Sequence, residues 1–239
     1  MCPTFITRHG APQSIERRSL LATIASGAVA MTVQGQSAPA PQDPDANRQV
    51  AVRQGSAPPL LVSFAASESG RWVVDRIDSV VGRGLPPAAR LEVLEGIDTL
   101  GRQNLAWALR GTTSNARYTT RAEIDAMSVR QEPLNRPLAK RAALIPIRKT
   151  AAWWSLAQDE RRAIFEEQSR HIAIGMEYLP GVARRLHHSR ELGEPFDFLT
   201  WFEYAPEHSL DFERLVSRLR STPEWRYVDR EVDIRLTRT

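Results

Sequence analysis

The sequence predicts an α+β fold built from two ferredoxin-like halves that close into a barrel-like domain, preceded by a leader and a linker. Three observations carry this. From residue 141 onward, strand-like and helical segments follow one another in the order β-α-β-β-α-β, which is the ferredoxin-like unit. A weaker β-α-β pattern precedes it. With 239 residues and 42% hydrophobic content, the chain can fill one large domain or two small ones.

Taken in order, Leu60-Leu61-Val62-Ser63-Phe64 is the first strand signal, and PPAARLEVLEGIDTL has a helical pattern with prolines at its start, where a helix tolerates them. QNLAWALRG reads as a strand, whereas NARYTTRAEIDAMS fits either state. RAALIPIRK is a short apolar strand. Ser155-Leu156-Ala157-Gln158 fits a capping box, from which one helix can run to Leu179. Pro180-Gly181 ends that helix. VARRLHHSR is a strand, ELGEP a turn and FDFLTWFEYA a further strand. After Pro206, EHSLDFERLVSRLRS has the 3.6-residue period, and WRYVDREVDIRL closes with a last strand. No sequence repeat relates the halves, yet two such units can form one curved sheet or barrel with helices outside.

Residues 1–38 read as a secretory leader of twin-arginine type. Glu16-Arg17-Arg18-Ser19-Leu20-Leu21 opens the uncharged run LLATIASGAVAMTV, and small and polar residues follow it. That run is too short to span a bilayer. The alternative is an ordinary tail with a chance Arg-Arg. Residues 39–58, rich in Pro, Ala and Gln, read as a linker. Residues 59–140 form a shortened first half, and residues 141–239 a second half carrying the candidate site. Cleavage of the leader would remove Cys2 and place the mature protein in the periplasm; without a leader it is cytoplasmic.

Composition narrows the function. The net charge is +4 and no basic stripe is evident, so a nucleic-acid footprint is lacking. A single cysteine excludes a disulfide framework and any cysteine-based metal site. The H-E-x-x-H pattern is absent. His187, His188 and His208 lack metal-ligand spacing and read as surface or packing residues.

Chemistry concentrates in SRHIAIGMEYLPGVARRLHH, residues 169–188. On a continuous helix, Ile164, Gln168, His171, Gly175 and Tyr178 share one stripe. A glycine inside a helix costs about 1 kcal/mol relative to alanine, so something should compensate. A flat ligand pressed against the helix beside His171 is one compensation; a surface or satisfied core histidine is the plainer reading. On the following strand, Val182, Arg184, Leu186 and His188 face one way, and Ala183, Arg185 and His187 the other. A guanidinium on the apolar face is expensive unless an anion or acceptor meets it. Either Arg184 pairs structurally with Asp197, Glu203 or Glu224, or it faces a ligand. The Pro-Gly break lets the strand fold back, so His171 and Arg184 can flank one cavity. Trp153-Trp154, near Lys149, would wall such a pocket or fill the core. Pro223-Glu224-Trp225 sets a carboxylate just before the last strand, where it can partner a histidine ligand.

The blocks RAALIPIRKTAAWW, RRAIFEEQSRHIAIGMEYLPGVARRLHHSRELGEPFDFLTWFEYAPEH and LVSRLRSTPEWRYVDREVDIRL, in that order, resemble the chlorite dismutase family, and most of all its short-chain, dimeric branch. The resemblance is close over about residues 110–236 and weak over 60–110. It implies a homodimer holding one haem b per subunit and converting chlorite to chloride and dioxygen through an oxoferryl/hypochlorite intermediate. It implies His171 as the iron ligand, Glu224 as the acceptor for that histidine, and Arg184 as the catalytic distal residue. Tyr118, Lys149 and Trp153 match residues that line the haem or contact its propionates. Nucleic-acid binding and stable membrane association are not expected. The family also holds coproheme decarboxylases, against which Arg184 and an export-type leader argue. A dye-decolourising type peroxidase fits the block order less well, and a haem-binding sensor without turnover is the alternative from another class.

Overall fold

The computed structural model describes residues 59–99, 101–113 and 117–238, so the leader and linker expected over 1–58 lie outside the described residues. Eight strands, β1 (Leu61–Ser67), β2 (Trp72–Val81), β3 (Arg90–Glu95), β4 (Trp107–Thr113), β5 (Arg141–Lys149), β6 (Val182–His188), β7 (Phe198–Tyr204) and β8 (Val228–Arg238), close into a barrel in the order β1-β3-β2-β8-β5-β7-β6-β4. All neighbours are antiparallel. The second half runs β8-β5-β7-β6 and the first runs β4-β1-β3-β2. Each is the ferredoxin-like order, so the topology repeats where the sequence does not. Closure through β2–β8 and β4–β6 leaves no open sheet edge.

One expected element is corrected. The helix read in PPAARLEVLEGIDTL is strand β3, which pairs with β1 from Val62↔Glu95 to Ser67↔Arg90. In Arg90-Leu91-Glu92-Val93 the apolar positions suit a period of two as well as 3.6, and a run this short does not decide between them. Tertiary context decides: Leu91 is wholly buried in the barrel core, and as a helix the segment would leave β1 without its partner. The first half is therefore four strands, and the first helix among the described residues is α1 (Arg121–Arg130).

Both faces of β5 are covered, which is why RAALIPIRK is apolar throughout. Ala142 and Leu144 turn into the barrel with Phe64, Trp72, Leu199, Trp201 and Ile234. Ala143, Ile145 and Ile147 turn outward to meet α5 (Ser209–Arg220). That helix lays Phe212, Leu215, Val216 and Leu219, at i, i+3, i+4 and i+7, on the sheet beside Phe202 and Tyr204. Each such buried side chain contributes roughly 1.5–3 kcal/mol.

The segment before β6 differs most from expectation. Instead of one helix from Ser155 to Leu179, there are α2 (Ala151–Ser155), α3 (Gln158–Arg162), a π-helical stretch (Ala163–Gln168) and α4 (His171–Glu177). Thr150 caps α2 through the Trp153 N–H, and Glu160 takes the Ala157 N–H at the start of α3. Between the π stretch and α4, Arg170 adopts a left-handed conformation, φ 53°. The helical phase is reset there, so the stripe expected from Ile164 through Tyr178 does not continue past Gln168.

Candidate functional site

The break at Arg170 turns Ser169 and His171 towards the short 3₁₀ turn Pro223–Tyr227 that leads into β8. Glu166 reaches forward to accept the Ile172 and Ala173 N–H groups at 2.6 and 3.2 Å, satisfying the donors that the break exposes at the start of α4. Ser169 Oγ accepts the Glu224 N–H at 2.9 Å, which orients the turn. The Glu224 carboxylate then divides between two partners: Oε2 lies 2.7 Å from His171 Nδ1, and Oε1 lies 2.7 Å from Lys149 Nζ. Glu224 and Lys149 are buried, while the His171 side chain keeps 29% of its surface.

Electrostatics fixes the histidine tautomer. Burial alone would push the Glu224 carboxyl up, but Lys149 and His171 outweigh it and hold the group down at about 2. An ionised carboxylate only accepts, so Nδ1 of His171 carries the proton and Nε2 keeps its lone pair when the ring is neutral. Lys149 Nζ also lies 4.7 Å from the centre of the Trp153 ring. The carboxylate just before the last strand thus reaches the histidine expected from sequence, through Lys149–Glu224–His171.

Arg184 does not form the structural ion pair offered by Asp197, Glu203 or Glu224. Asp197 is engaged with the Lys149 N–H, Trp154 Nε1 and Arg190; Glu203 with Trp201, Asn135 and Arg238; Glu224 with Lys149 and His171. Arg184 instead donates from Nη1 to the carbonyl of Gly175 at 2.7 Å. It is enclosed by protein yet keeps accessible surface because it lines a cavity, and that enclosure lowers its guanidinium to about 10. This guanidinium occupies the space that a Cβ on Gly175 would need.

The cavity measures about 260 Å³ and lies between the outer face of the sheet and α1, α4 and α5. A second, of about 80 Å³, is lined by Tyr118, Lys149, Trp153 and Glu224. The two share a wall that includes Ile147, Phe165, His171, Leu186, Thr200 and Trp225. All six expected site residues thus border one or the other. Phe165, Thr200 and Trp225 were not singled out from sequence. Trp225 follows Glu224 directly, and Thr200 shares the outward parity of Phe202 on β7, so alternation would have found it. Phe165 stacks on His171 with centroids 4.3 Å apart, and only the π stretch places it there. Helix α1 forms in a segment that fits either state by sequence: Thr120 and Glu123 make a reciprocal capping box, and Arg162 ties Glu123 to α3 at 2.6 Å.

Tyr118 and Trp153 are buried, with rings 5.9 Å apart edge to face, and among the described residues neither Tyr118 Oη nor Trp153 Nε1 finds a hydrogen-bond partner. Trp154 stacks on Phe198 and carries the Arg190 guanidinium 4.0 Å above its ring. The other histidines pack. His187 donates from Nδ1 to the Leu199 carbonyl inside the barrel, and burial pushes its imidazole down to about 4. His188 is buried edge-on against Phe198, and His208 pairs with Asp211 at 3.1 Å. Among the described residues no group of three or more His, Cys, Asp or Glu could hold a metal ion, and no helix is long and apolar enough to cross a membrane.

A closed antiparallel barrel with helices on one flank, and a cavity between the two layers, defines an α+β barrel protein that keeps its polar chemistry outside the barrel. The family profile for chlorite dismutase matches residues 92–239. The chain belongs to the chlorite dismutase family. It is similar to the crystal structure of the dimeric chlorite dismutase from Nitrobacter winogradskyi, with 53% identity and a TM-score of 0.70 over 74% of this chain and 99% of that one. With the chlorite dismutase of Ideonella dechloratans it shares 34% identity over 86 residues, 36% of this chain, and the aligned part spans 28% of that relative. The chlorite dismutase from Candidatus Nitrospira defluvii in complex with imidazole is 23% identical, with a TM-score of 0.54 over 75% of this chain and 91% of that one, a likeness of fold.

Proposed function

We propose that the protein is a haem b-dependent chlorite dismutase (chlorite O2-lyase), converting chlorite to chloride and dioxygen as a homodimer with one haem per subunit. The observation that carries the reading is the Lys149–Glu224–His171 chain, which ends at a cavity lined by Arg184, a cation with no carboxylate partner among the described residues. The dimeric state described for the Nitrobacter winogradskyi protein, at 53% identity, supports the assembly.

The residues present fit haem b. With Nδ1–H held by Glu224, His171 would offer Nε2 to the haem iron, and the carboxylate would raise its basicity. Ile147, Phe165 and Leu186 give the shared wall an apolar surface suited to a macrocycle. Tyr118 Oη and Trp153 Nε1 are buried polar atoms without an acceptor among the described residues, which suits carboxylate oxygens such as propionates. When bound, haem would supply the oxygen-transfer chemistry. The chain supplies the rest. Arg184 is always charged at neutral pH and presents several donors, so it binds an oxyanion in an enclosed space. It keeps the chlorine oxyanion in the cavity until both oxygen atoms leave as dioxygen. Lys149 and Glu224 hold the tautomer and orientation of His171 without touching substrate.

The test is an oxygen electrode. Haem-loaded protein given chlorite is expected to evolve equimolar dioxygen, and Arg184→Ala to lower turnover on the order of 10²–10³-fold while haem stays bound and bleaches sooner. No dioxygen from haem-loaded protein would remove the dismutase reading in favour of a sensor or decarboxylase.

We also propose export to the periplasm by the twin-arginine leader read in residues 1–38. Tagged protein is expected in the periplasmic fraction with its leader removed, and Arg17→Lys/Arg18→Lys is expected to retain it in the cytoplasm. A cytoplasmic wild-type protein with an intact N-terminus would refute this.

A further inference from the structure

We propose that Arg184 is a latch on the cofactor cavity: parked on Gly175 it joins β6 to α4, and haem entry requires it to swing away. Gly175 is the positioning residue of the parked state. The inference rests on the haem reading above and adds a loading step to it.

The geometry is specific. Arg184 Nη1 donates to Gly175 O at 2.7 Å, and a Cβ on Gly175 would lie 2.4, 2.6 and 2.6 Å from Nη2, Cζ and Nη1. The guanidinium therefore rests on the patch that the absent side chain leaves open, and any other residue there would push it off. Gly175 sits one turn beyond His171 on α4, about 6 Å along the axis, within the footprint of a porphyrin centred on that histidine. Both residues line the same cavity as Arg184. A haem held by His171 in this cavity would have to take up the space across which Arg184 reaches α4. The arginine thus has two positions: parked, with the walls joined, or released, with the cofactor between them.

Local chemistry holds the parked position. Gly175 lies among the last residues of α4, whose terminal carbonyls lack a full set of intrahelical donors and carry the negative end of the helix dipole. The Tyr178 N–H reaches Gly175 O only at 3.4 Å, leaving that oxygen receptive to a cation. Among the described residues Asp197, Glu203, Glu224 and the cavity-lining Glu231 are all engaged elsewhere. The backbone of β6 is fixed by Arg184↔Phe202 pairing with β7 and by Gln131 Nε2 on the Arg184 carbonyl at 3.0 Å. Opening is therefore a rotation of one side chain and not a movement of the strand.

The experiment mixes haem-free full-length protein with hemin and follows the Soret band by stopped flow. If the parked state dominates, the rate of uptake is reduced by the open fraction. Arg184→Ala is expected to speed uptake on the order of tenfold, Arg184→Lys to fall between it and wild type, and final haem content to stay the same. Gly175→Ala keeps the arginine and removes its seat, so it too is expected to load faster. Should Gly175→Ala not fold, the two Arg184 variants still decide. A haem-free readout accompanies them: binding of the apolar dye ANS to the cofactor-free chain is expected to rise in Arg184→Ala. Uptake within twofold of wild type in both Arg184 variants overturns the latch while leaving the haem reading intact. A wild-type protein that takes up no haem at all overturns that reading, and the latch with it.

Discussion

His171→Ala is expected to yield a folded barrel with no Soret band. The ring belongs to neither of the two large apolar clusters, the barrel interior and the sheet–α5 layer, so its loss leaves the core packed. What disappears is an imidazole whose Nδ1 is anchored by a buried carboxylate. Loss of such an outer partner typically lowers metal affinity 10–100-fold, and loss of the ligand itself is expected to exceed that. The measurement is the ratio of Soret to protein absorbance at matched denaturant midpoints, with exogenous imidazole added to refill the vacated ligand position. Unchanged haem content in His171→Ala would remove the ligand assignment.

Glu224→Ala carries the largest expected loss of stability, about 3–5 kcal/mol. It strands the Lys149 ammonium, whose side chain is 3% exposed, and leaves His171 Nδ1 without its acceptor. Removing one partner of a buried pair leaves an uncompensated charge, whereas replacing both by apolar groups is often close to neutral. The double variant Lys149→Met/Glu224→Leu is therefore expected to recover most of the loss, a non-additivity that urea unfolding reads directly. The pH dependence has a definite sign. Glu224 is held at about 2, below its ordinary 4.5, so its stabilisation is complete above 4.5 and is lost as pH falls towards 2. Wild type should weaken through that window, and Glu224→Ala should show a shallower decline there. A cost below 1 kcal/mol for the single variant would contradict the buried-pair account.

The second half of the fold was legible because its strands are covered on both faces and its last helix has one apolar stripe. RAALIPIRK and the stripe Phe212, Leu215, Val216, Leu219 leave little choice of state. The first half was less so. Arg90–Glu95 suits two periods, and pairing with β1 chose the strand. The break before His171 was not legible at all. Nothing in Gln168-Ser169-Arg170 is a strong helix breaker, and the left-handed turn at Arg170 exists because Glu166 recaps α4 while Ser169 meets the Glu224 N–H.

For the site, residue types and spacing were enough to bring His171, Glu224 and Arg184 forward. A histidine on a helix, a carboxylate ahead of the last strand and a cation on an apolar strand face are each costly or unusual, and that cost is visible in one dimension. Which group meets which depends on long-range contacts. The sequence left Arg184 either a carboxylate or a ligand; folding denies it the carboxylate and sets its guanidinium against the Gly175 carbonyl. The physical reason is that side-chain chemistry is local, whereas the pairing of buried charges follows from which strands and helices close the barrel around them.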